Sequence, residues 1–268
     1  MKSHGTQRIR HIVSGEVRET TQELLAEEPL SIRVQGNPYT VVMRTPGDEI
    51  AHVAGFCLGE GIVDAVDDFG TLAFCDEDVN VVTVTLTPER SENVPEILDR
   101  RGFISQTSCG ICGKELIDDL RQATSTVDAS PVAFAIVSKA LDELGTHQPL
   151  RQITRASHAA ALADGSGEIL SVAEDAGRHN ALDKAVGKLF LQASLGEARF
   201  LVLSSRISYE MVQKAARAGI AIIAAVSRPT ALAVELAEGL GITLCSLARG
   251  EGLFVYTHPH RIQTQSPE

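Results

Sequence analysis

The alternation of apolar and polar positions splits the chain into short β-like runs and longer stretches of helical spacing. Residues 1–17 are basic and polar, and predict a loosely ordered start. Residues 30–34 and 39–43 are β-rich and flank Gln35-Gly36-Asn37-Pro38, which predicts a hairpin. Asp48 stands as N-cap to a helix over 49–58 that ends at Gly59-Glu60-Gly61. Residues 69–75 and 80–86 predict two more strands around the acidic turn Asp76-Glu77-Asp78. Together these runs make a small α+β unit over residues 15–90.

Residues 88–93 are polar and loop-like, and 95–101 carry a short helical pattern. A glycine-rich cysteine segment follows, then a helix over 114–121 and a Ser/Thr/Asp-rich linker over 123–130. Pro131 suits the first turn of a helix running to 144. Beyond it, strands over 158–162 and 168–173 precede a helix over 180–191. A strand over 200–203, a helix over 209–218, a strand over 220–226 and a helix over 230–240 come next. Strands over 243–247 and 253–256 close the chain. This rhythm predicts a sheet covered by helices on both faces.

Composition narrows the class without changing that picture. At 268 residues, 44% hydrophobic and 22% charged, the chain describes a globular protein large enough for one or two domains. Its net charge of −11 argues against general nucleic-acid or anionic-membrane binding, while leaving room for a local phosphate site. Five cysteines, an odd number, do not look like a disulfide framework. The polar start lacks a signal-peptide core, and the longest apolar run, 220–226, is too short to span a bilayer. No membrane association is expected, and a cytoplasmic location is.

The most distinctive chemistry lies in Thr107-Ser108-Cys109-Gly110-Ile111-Cys112-Gly113-Lys114. Two thiols sit beside glycines that permit unusual backbone geometry, and Lys114 is a cation able to favour a thiolate. A structural zinc site needs four ligands, and Cys57, Cys75 and Cys245 are single and scattered, so only half-sites shared across a dimer would serve. A thioredoxin-like dithiol needs a preceding strand, and 103–107 is a poor one. A cysteine carrying sulfur as a persulfide, and two merely buried thiols, remain open at this level.

The second half places charged turns after successive strands. Glu174-Asp175-Ala176-Gly177-Arg178-His179-Asn180 joins a strand to a helix, where Asp175, Arg178 and His179 could orient a ligand or form a capping salt bridge. Ser204-Ser205-Arg206-Ile207-Ser208 and Ser227-Arg228-Pro229-Thr230 offer hydroxyls, arginines and helix starts, which suit phosphate. Leu247-Ala248-Arg249-Gly250-Glu251-Gly252 is either a tight turn or a further backbone approach to the same ligand. One extended anionic ligand follows only if these strand ends share an edge. His158 follows no deaminase signature: position 160 is Ala, and the cysteine pair precedes the histidine, so deamination is excluded.

In combination these motifs resemble the FdhD/NarQ family of formate dehydrogenase accessory proteins. The resemblance rests on Glu28-Pro29-Leu30, Thr45-Pro46-Gly47-Asp48, Gly55-Phe56-Cys57-Leu58-Gly59-Glu60-Gly61 and the Cys109 segment. It continues through the run from Glu174 to Lys184, Ser227-Arg228-Pro229-Thr230-Ala231-Leu232-Ala233 and Val255-Tyr256-Thr257. It implies an α/β fold with a cytidine deaminase-like three-layer α/β/α domain over 126–268 and a smaller N-terminal α+β domain over 1–105. It places the Cys-x-x-Cys loop and a connecting helix over 106–125. It further implies a sulfurtransferase that accepts sulfur from a cysteine desulfurase and passes it to the bis-molybdopterin guanine dinucleotide molybdenum cofactor. The cofactor is cargo, bound before its insertion into the formate dehydrogenase apo-enzyme, and the carrier is commonly a homodimer. Cys109 matches the persulfide cysteine, and Cys112 the second thiol. Residues from Leu247 to Gly252 match a cofactor-binding segment, with Leu247 standing where the family commonly has an aromatic. Arg178, His179, Asn180, Ser205, Arg206, Ser227 and Thr230 are the further expected cofactor contacts, with no metal ligands expected. A cofactor-binding chaperone that carries no sulfur is the alternative from another class.

Overall fold

The computed structural model describes residues 2–92, 130–248 and 250–264. Strands β1 (His4–Val13) and β2 (Glu16–Leu25) pair antiparallel, from His4 opposite Leu25 to Val13 opposite Glu16. This ribbon overturns the expectation of a loosely ordered start. Ser14 and Gly15 both have positive φ, 53° and 87°, as a two-residue hairpin turn requires. Many of its opposed pairs are polar, such as Gln7 with Gln22 and Arg10 with Glu19, and His4 bonds diagonally to Glu23 at 2.9 Å, so apolar patterning gives little sign of it.

The next two hairpins form as expected. β3 (Glu28–Val34) and β4 (Asn37–Arg44) join β5 (Phe69–Cys75) and β6 (Asp78–Leu86) in a sheet ordered β4-β3-β6-β5. Helix α1 (Glu49–Gly59) connects them. Asp48 is its N-cap residue but makes no capping bond: its backbone is left-handed, and its carboxylate pairs with Lys188 at 2.7 Å. Part of the stretch read as loop is a short helix, α2 (Pro88–Ser91), because Thr87 caps it and Pro88 suits its first position.

Pro131 does not open the following helix. Residues Val132–Ala133 (β7) pair instead with Ile262–Gln263 near the chain end, and α3 (Phe134–Glu143) begins after them. Helix α4 (Pro149–Thr154) has no counterpart in the apolar pattern. It starts where the Glu174 carboxylate accepts from the N–H groups of Leu150 and Arg151, at 2.8 and 2.9 Å. Such capping across 20-odd residues leaves no local signal.

The rest alternates as expected: β8 (His158–Ala163), β9 (Ile169–Asp175), α5 (Arg178–Leu191), β10 (Phe200–Leu203) and α6 (Tyr209–Arg217). Then come β11 (Ile222–Ala225), α7 (Ala231–Leu240), β12 (Thr243–Ala248) and β13 (Gly252–Val255), with the pair to β7 as β14 (Ile262–Gln263). Six strands form one sheet in the order β13-β12-β11-β10-β8-β9. The pairs β10–β11 and β11–β12 are parallel and the other three pairs antiparallel, so β9, β10, β11 and β12 run one way and β8 and β13 the other. Successive side chains alternate between its faces. Ala160, Leu162, Leu201, Leu203 and Ile223 pack toward α5, α6, α7 and the small sheet. Ala161, Phe200, Val202, Ile222 and Ala224 pack toward α3. Helices thus cover both faces of this sheet in a mixed α/β fold. Leu30, Ile32, Val82 and Val84 of the small sheet belong to the same core as α5, so the two sheets are welded rather than merely adjoining. The chain positions 105 and 125, where divisions were expected, lie outside the described residues.

The weld depends on two glycines. A β-carbon at Gly55 of α1 would lie 2.0 Å from the Asp183 carbonyl oxygen of α5, and one at Gly187 of α5 would lie 1.8 Å from the Ala51 oxygen of α1. The helices touch backbone to backbone, a contact closed to any larger residue. Gly187→Ala is expected to destabilise the fold by about 2 kcal/mol or more. Gly196→Ala, with nothing within 4 Å of its added carbon, is expected to be near neutral. Thermal unfolding of the two variants against the parent checks this.

Candidate functional site

Sheet register decides which ends meet. His158 pairs with Asp175, Ala160 with Leu203, Leu203 with Ala225, Ala225 with Ser246, and Ala248 with Gly252. The start of β8 therefore lies beside the exits of β9, β10, β11 and β12. All the charged turns singled out from the sequence occupy this one edge, as the single-ligand reading requires. Arg249 lies outside the described residues, as do Cys109 and Cys112.

Residues along the edge divide by what their polar atoms already do. Asp175 is wholly buried, and its carboxylate accepts from the Gly177 N–H at 2.9 Å, the Asn180 side-chain amide at 3.0 Å and the Thr45 N–H at 3.0 Å. The Lys184 ammonium donates to the same carboxylate at 2.7 Å and to the Thr45 carbonyl at 2.6 Å. Asn180 also donates to the Met43 carbonyl at 2.7 Å. Asp175 and Asn180 are thus engaged in tying the β4–α1 turn to α5. Thr45 and Lys184, both in motifs quoted for the family, carry no local sign of this role, which only a fold that buries both reveals.

Other edge residues also have internal partners. The Thr230 hydroxyl accepts from the Ala233 N–H and caps α7. Ser205 is buried, and its hydroxyl donates to the Arg206 carbonyl at 3.0 Å. Leu247 packs its side chain into the core on the α3 side. Ala248 pairs with Gly252 across β12 and β13, and the Glu251 N–H donates to the Ala248 carbonyl at 2.7 Å. Positive φ at Gly250 and Gly252, 78° and 95°, makes glycine the natural residue there. Ser227 and Arg206 are exposed at the edge. Arg228 lies 5.4 Å over the ring of Phe254, an exposed aromatic on β13 that carried no motif.

Between β9 and β10 the edge is strongly polar. His179 pairs with Glu210 at 2.6 Å, linking the first turns of α5 and α6. Its hydrogen bond holds the Glu210 carboxyl below the usual range, helped by Arg178. Burial, then the Arg178 and Arg151 charges, push His158 down, which favours neutral imidazole there. Deeper in, His52 is fully buried, and burial with the Lys184, Lys214 and Arg44 charges pushes it well below its ordinary value.

Two of the three described cysteines, Cys57 and Cys245, are buried and poor nucleophiles by environment. Burial pushes Cys57 up beyond the ordinary thiol range and Cys245 up to about 12. At pH 7.5 the folded protein is therefore expected to leave Cys57 and Cys245 unlabelled by iodoacetamide, as peptide mapping checks. Asp175→Asn leaves the buried Lys184 ammonium without its counter-charge and is expected to cost about 3–5 kcal/mol, read from urea unfolding.

The comparisons with known proteins agree with the sequence resemblance. The model of the FdhD/NarQ family matches residues 25–263. A sulfur carrier protein FdhD from Mycobacterium tuberculosis is 40% identical over 270 residues, covering 95% of this chain and 97% of that protein. One from Streptomyces avermitilis is 39% identical over 267 residues, covering 95% and 94%. A crystal structure described as that of a formate dehydrogenase accessory protein from Desulfotalea psychrophila has a TM-score of 0.78 at 24% identity. That likeness covers 98% of this chain and 100% of the other, and shows the fold. The chain belongs to the FdhD/NarQ family.

Proposed function

We propose that this chain is a sulfur carrier for formate dehydrogenase maturation, with Cys109 as the carrying atom. The observation that carries the reading is the single strand-end edge, which gathers His158, Arg178, Ser204–Ser208, Ser227 and Arg228 where an extended anionic cargo would lie. Relatives at 39–40% identity bear the name sulfur carrier protein, which supports the transfer chemistry. The six-stranded sheet with helices on both faces supports the cytidine deaminase-like description of the larger half. The cargo in this reading is the bis-molybdopterin guanine dinucleotide molybdenum cofactor, with a cysteine desulfurase as donor.

The first step is exchange at sulfur. The Cys109 thiolate attacks the terminal sulfur of the donor's cysteine persulfide; the donor S–S bond breaks, its thiolate leaves, and Cys109 becomes the persulfide. No net oxidation occurs. For delivery, the Cys112 thiolate attacks the Cys109 sulfur, forming a disulfide and releasing hydrosulfide toward the cargo. The two electrons that reduce the carried sulfur come from Cys109 and Cys112, and an external dithiol reductant, itself oxidised to a disulfide by exchange, restores both thiols before the next cycle. Lys114 favours the thiolate that begins both turns.

Intact mass after incubation with a cysteine desulfurase and cysteine tests the assignment. The parent is expected to gain one reducible sulfur atom, Cys112→Ala to retain that gain, and Cys109→Ala to lose it. Undiminished loading of Cys109→Ala would overturn the assignment, and no loading of the parent would leave a cofactor-binding chaperone in its place.

A further inference from the structure

Helices α1 and α5 touch through backbone at Gly55 and Gly187, and a titratable side chain belongs to that contact. His52, three residues before Gly55 on α1, is wholly buried beside Asn180 and Lys184 of α5. Both of its ring nitrogens are enclosed, and neither makes a hydrogen bond of ordinary geometry among the described residues. A neutral imidazole presents one N–H and one lone pair, so the ring enters the core with both demands unmet.

The charges that bear on this ring are positive and come from three elements: Lys184 of α5, Lys214 of α6 and Arg44 at the end of β4. Each cation already has its own carboxylate. Lys184 meets Asp175 at 2.7 Å, Lys214 meets Asp183 at 2.8 Å with Glu60 beside it, and Arg44 meets Glu49 at 3.1 Å. These carboxylates are spent on those pairs, and among the described residues none pairs with His52. Asn180 favours the charged ring, but more weakly than each cation opposes it. A proton on His52 would create a fourth buried cation and add a second N–H where the first already lacks an acceptor.

We propose that His52 makes the α1–α5 contact an acid-operated latch, shut while its ring is neutral and released when the ring takes up a proton from solvent. The inference goes beyond the carrier reading and does not rest on it. Release parts α1 from α5 and loosens the Thr45 turn, which Asp175 and Lys184 hold against the start of α5. Arg178 and His179 leave the helix at that start, so the latch also governs the geometry of the strand-end edge. Burial and the three cations disfavour the charged ring in the closed state. The opened chain therefore binds the extra proton. The closed state is fully favoured above the ordinary histidine value of about 6.5 and loses ground as pH falls below it.

Hydrogen exchange of the full chain, read by mass as protection factors at about pH 7.5 and about pH 5.5, tests the latch. In the parent, protection over α1 and the first turn of α5 is expected to fall about tenfold across that interval, while β11 and β12 inside the large sheet keep theirs. His52→Gln and His52→Phe cannot take up the proton, and both are expected to abolish the fall. His158→Gln, which removes a second histidine that burial pushes down, is expected to preserve it. Unchanged protection over α1 in the parent overturns the proposal, as does the same fall in both His52 variants or its loss in His158→Gln. An equal fall over β11 and β12 overturns it too, since that marks acid unfolding of the whole chain rather than release of one contact.

Discussion

The buried Asp175 carboxylate is the point on which the two sheets and the candidate site jointly depend. It ends β9, yet its partners come from three directions: the Thr45 N–H from the β4–α1 turn, the Gly177 N–H and Asn180 amide from the start of α5, and the Lys184 ammonium from its second turn. Lys184 then closes the circuit on the Thr45 carbonyl. Burying an ion pair is costly unless every remaining donor and acceptor is met, and here the backbone meets them. A hydrophobic replacement would fill the space, but it would not specify how the β4–α1 turn meets the first turn of α5. That register fixes where Arg178 and His179 leave the helix.

The helix crossing reinforces the same relation from the other side. Gly55 and Gly187 let α1 and α5 touch through backbone, so the small sheet rides on the helix whose start lines the edge. Farther along, Lys214 of α6 pairs with Asp183 of α5 at 2.8 Å; burial alone would lower it, but Asp183 and Glu60 raise it, keeping the ammonium charged. Arg217 of α6 donates to the Leu58 carbonyl at the end of α1. The three helices α1, α5 and α6 therefore form one braced unit behind the β9–β10 gap. A ligand gripped there meets a preorganised frame rather than a set of independent loops, which lowers the ordering cost of binding.

Much of this was legible from residue order because its signals are local. Period-two runs marked β3, β4, β5, β6 and the buried strands of the second half, and helix spacing marked α1, α5, α6 and α7. The charged turns after β9, β10 and β11 were visible as strings, and those after β9 and β11 also lie within the motifs of the family resemblance. What local pattern could not supply was partnership across the fold. The β1–β2 ribbon is held by polar pairs and a Ser14-Gly15 turn, neither of which registers as an apolar stripe. Helix α4 is capped by Glu174, far along the chain. Thr230 and Asn180 read as ligand contacts because Ser, Thr and Asn before a helix look alike whether they cap, brace or bind. Only their bonded partners separate those roles.

The central claim is that sulfur held by Cys109 is handed to a cargo bound at the strand-end edge. Its most direct test is a chase: the chain is loaded with radiolabelled sulfur by a desulfurase, freed of donor, and mixed with the molybdenum cofactor. The account predicts that label leaves Cys109 and appears in the cofactor, and that Arg178→Gln loads normally but transfers slowly. Label that stays on Cys109 in the presence of cofactor, or transfer equally fast in Arg178→Gln, would contradict it.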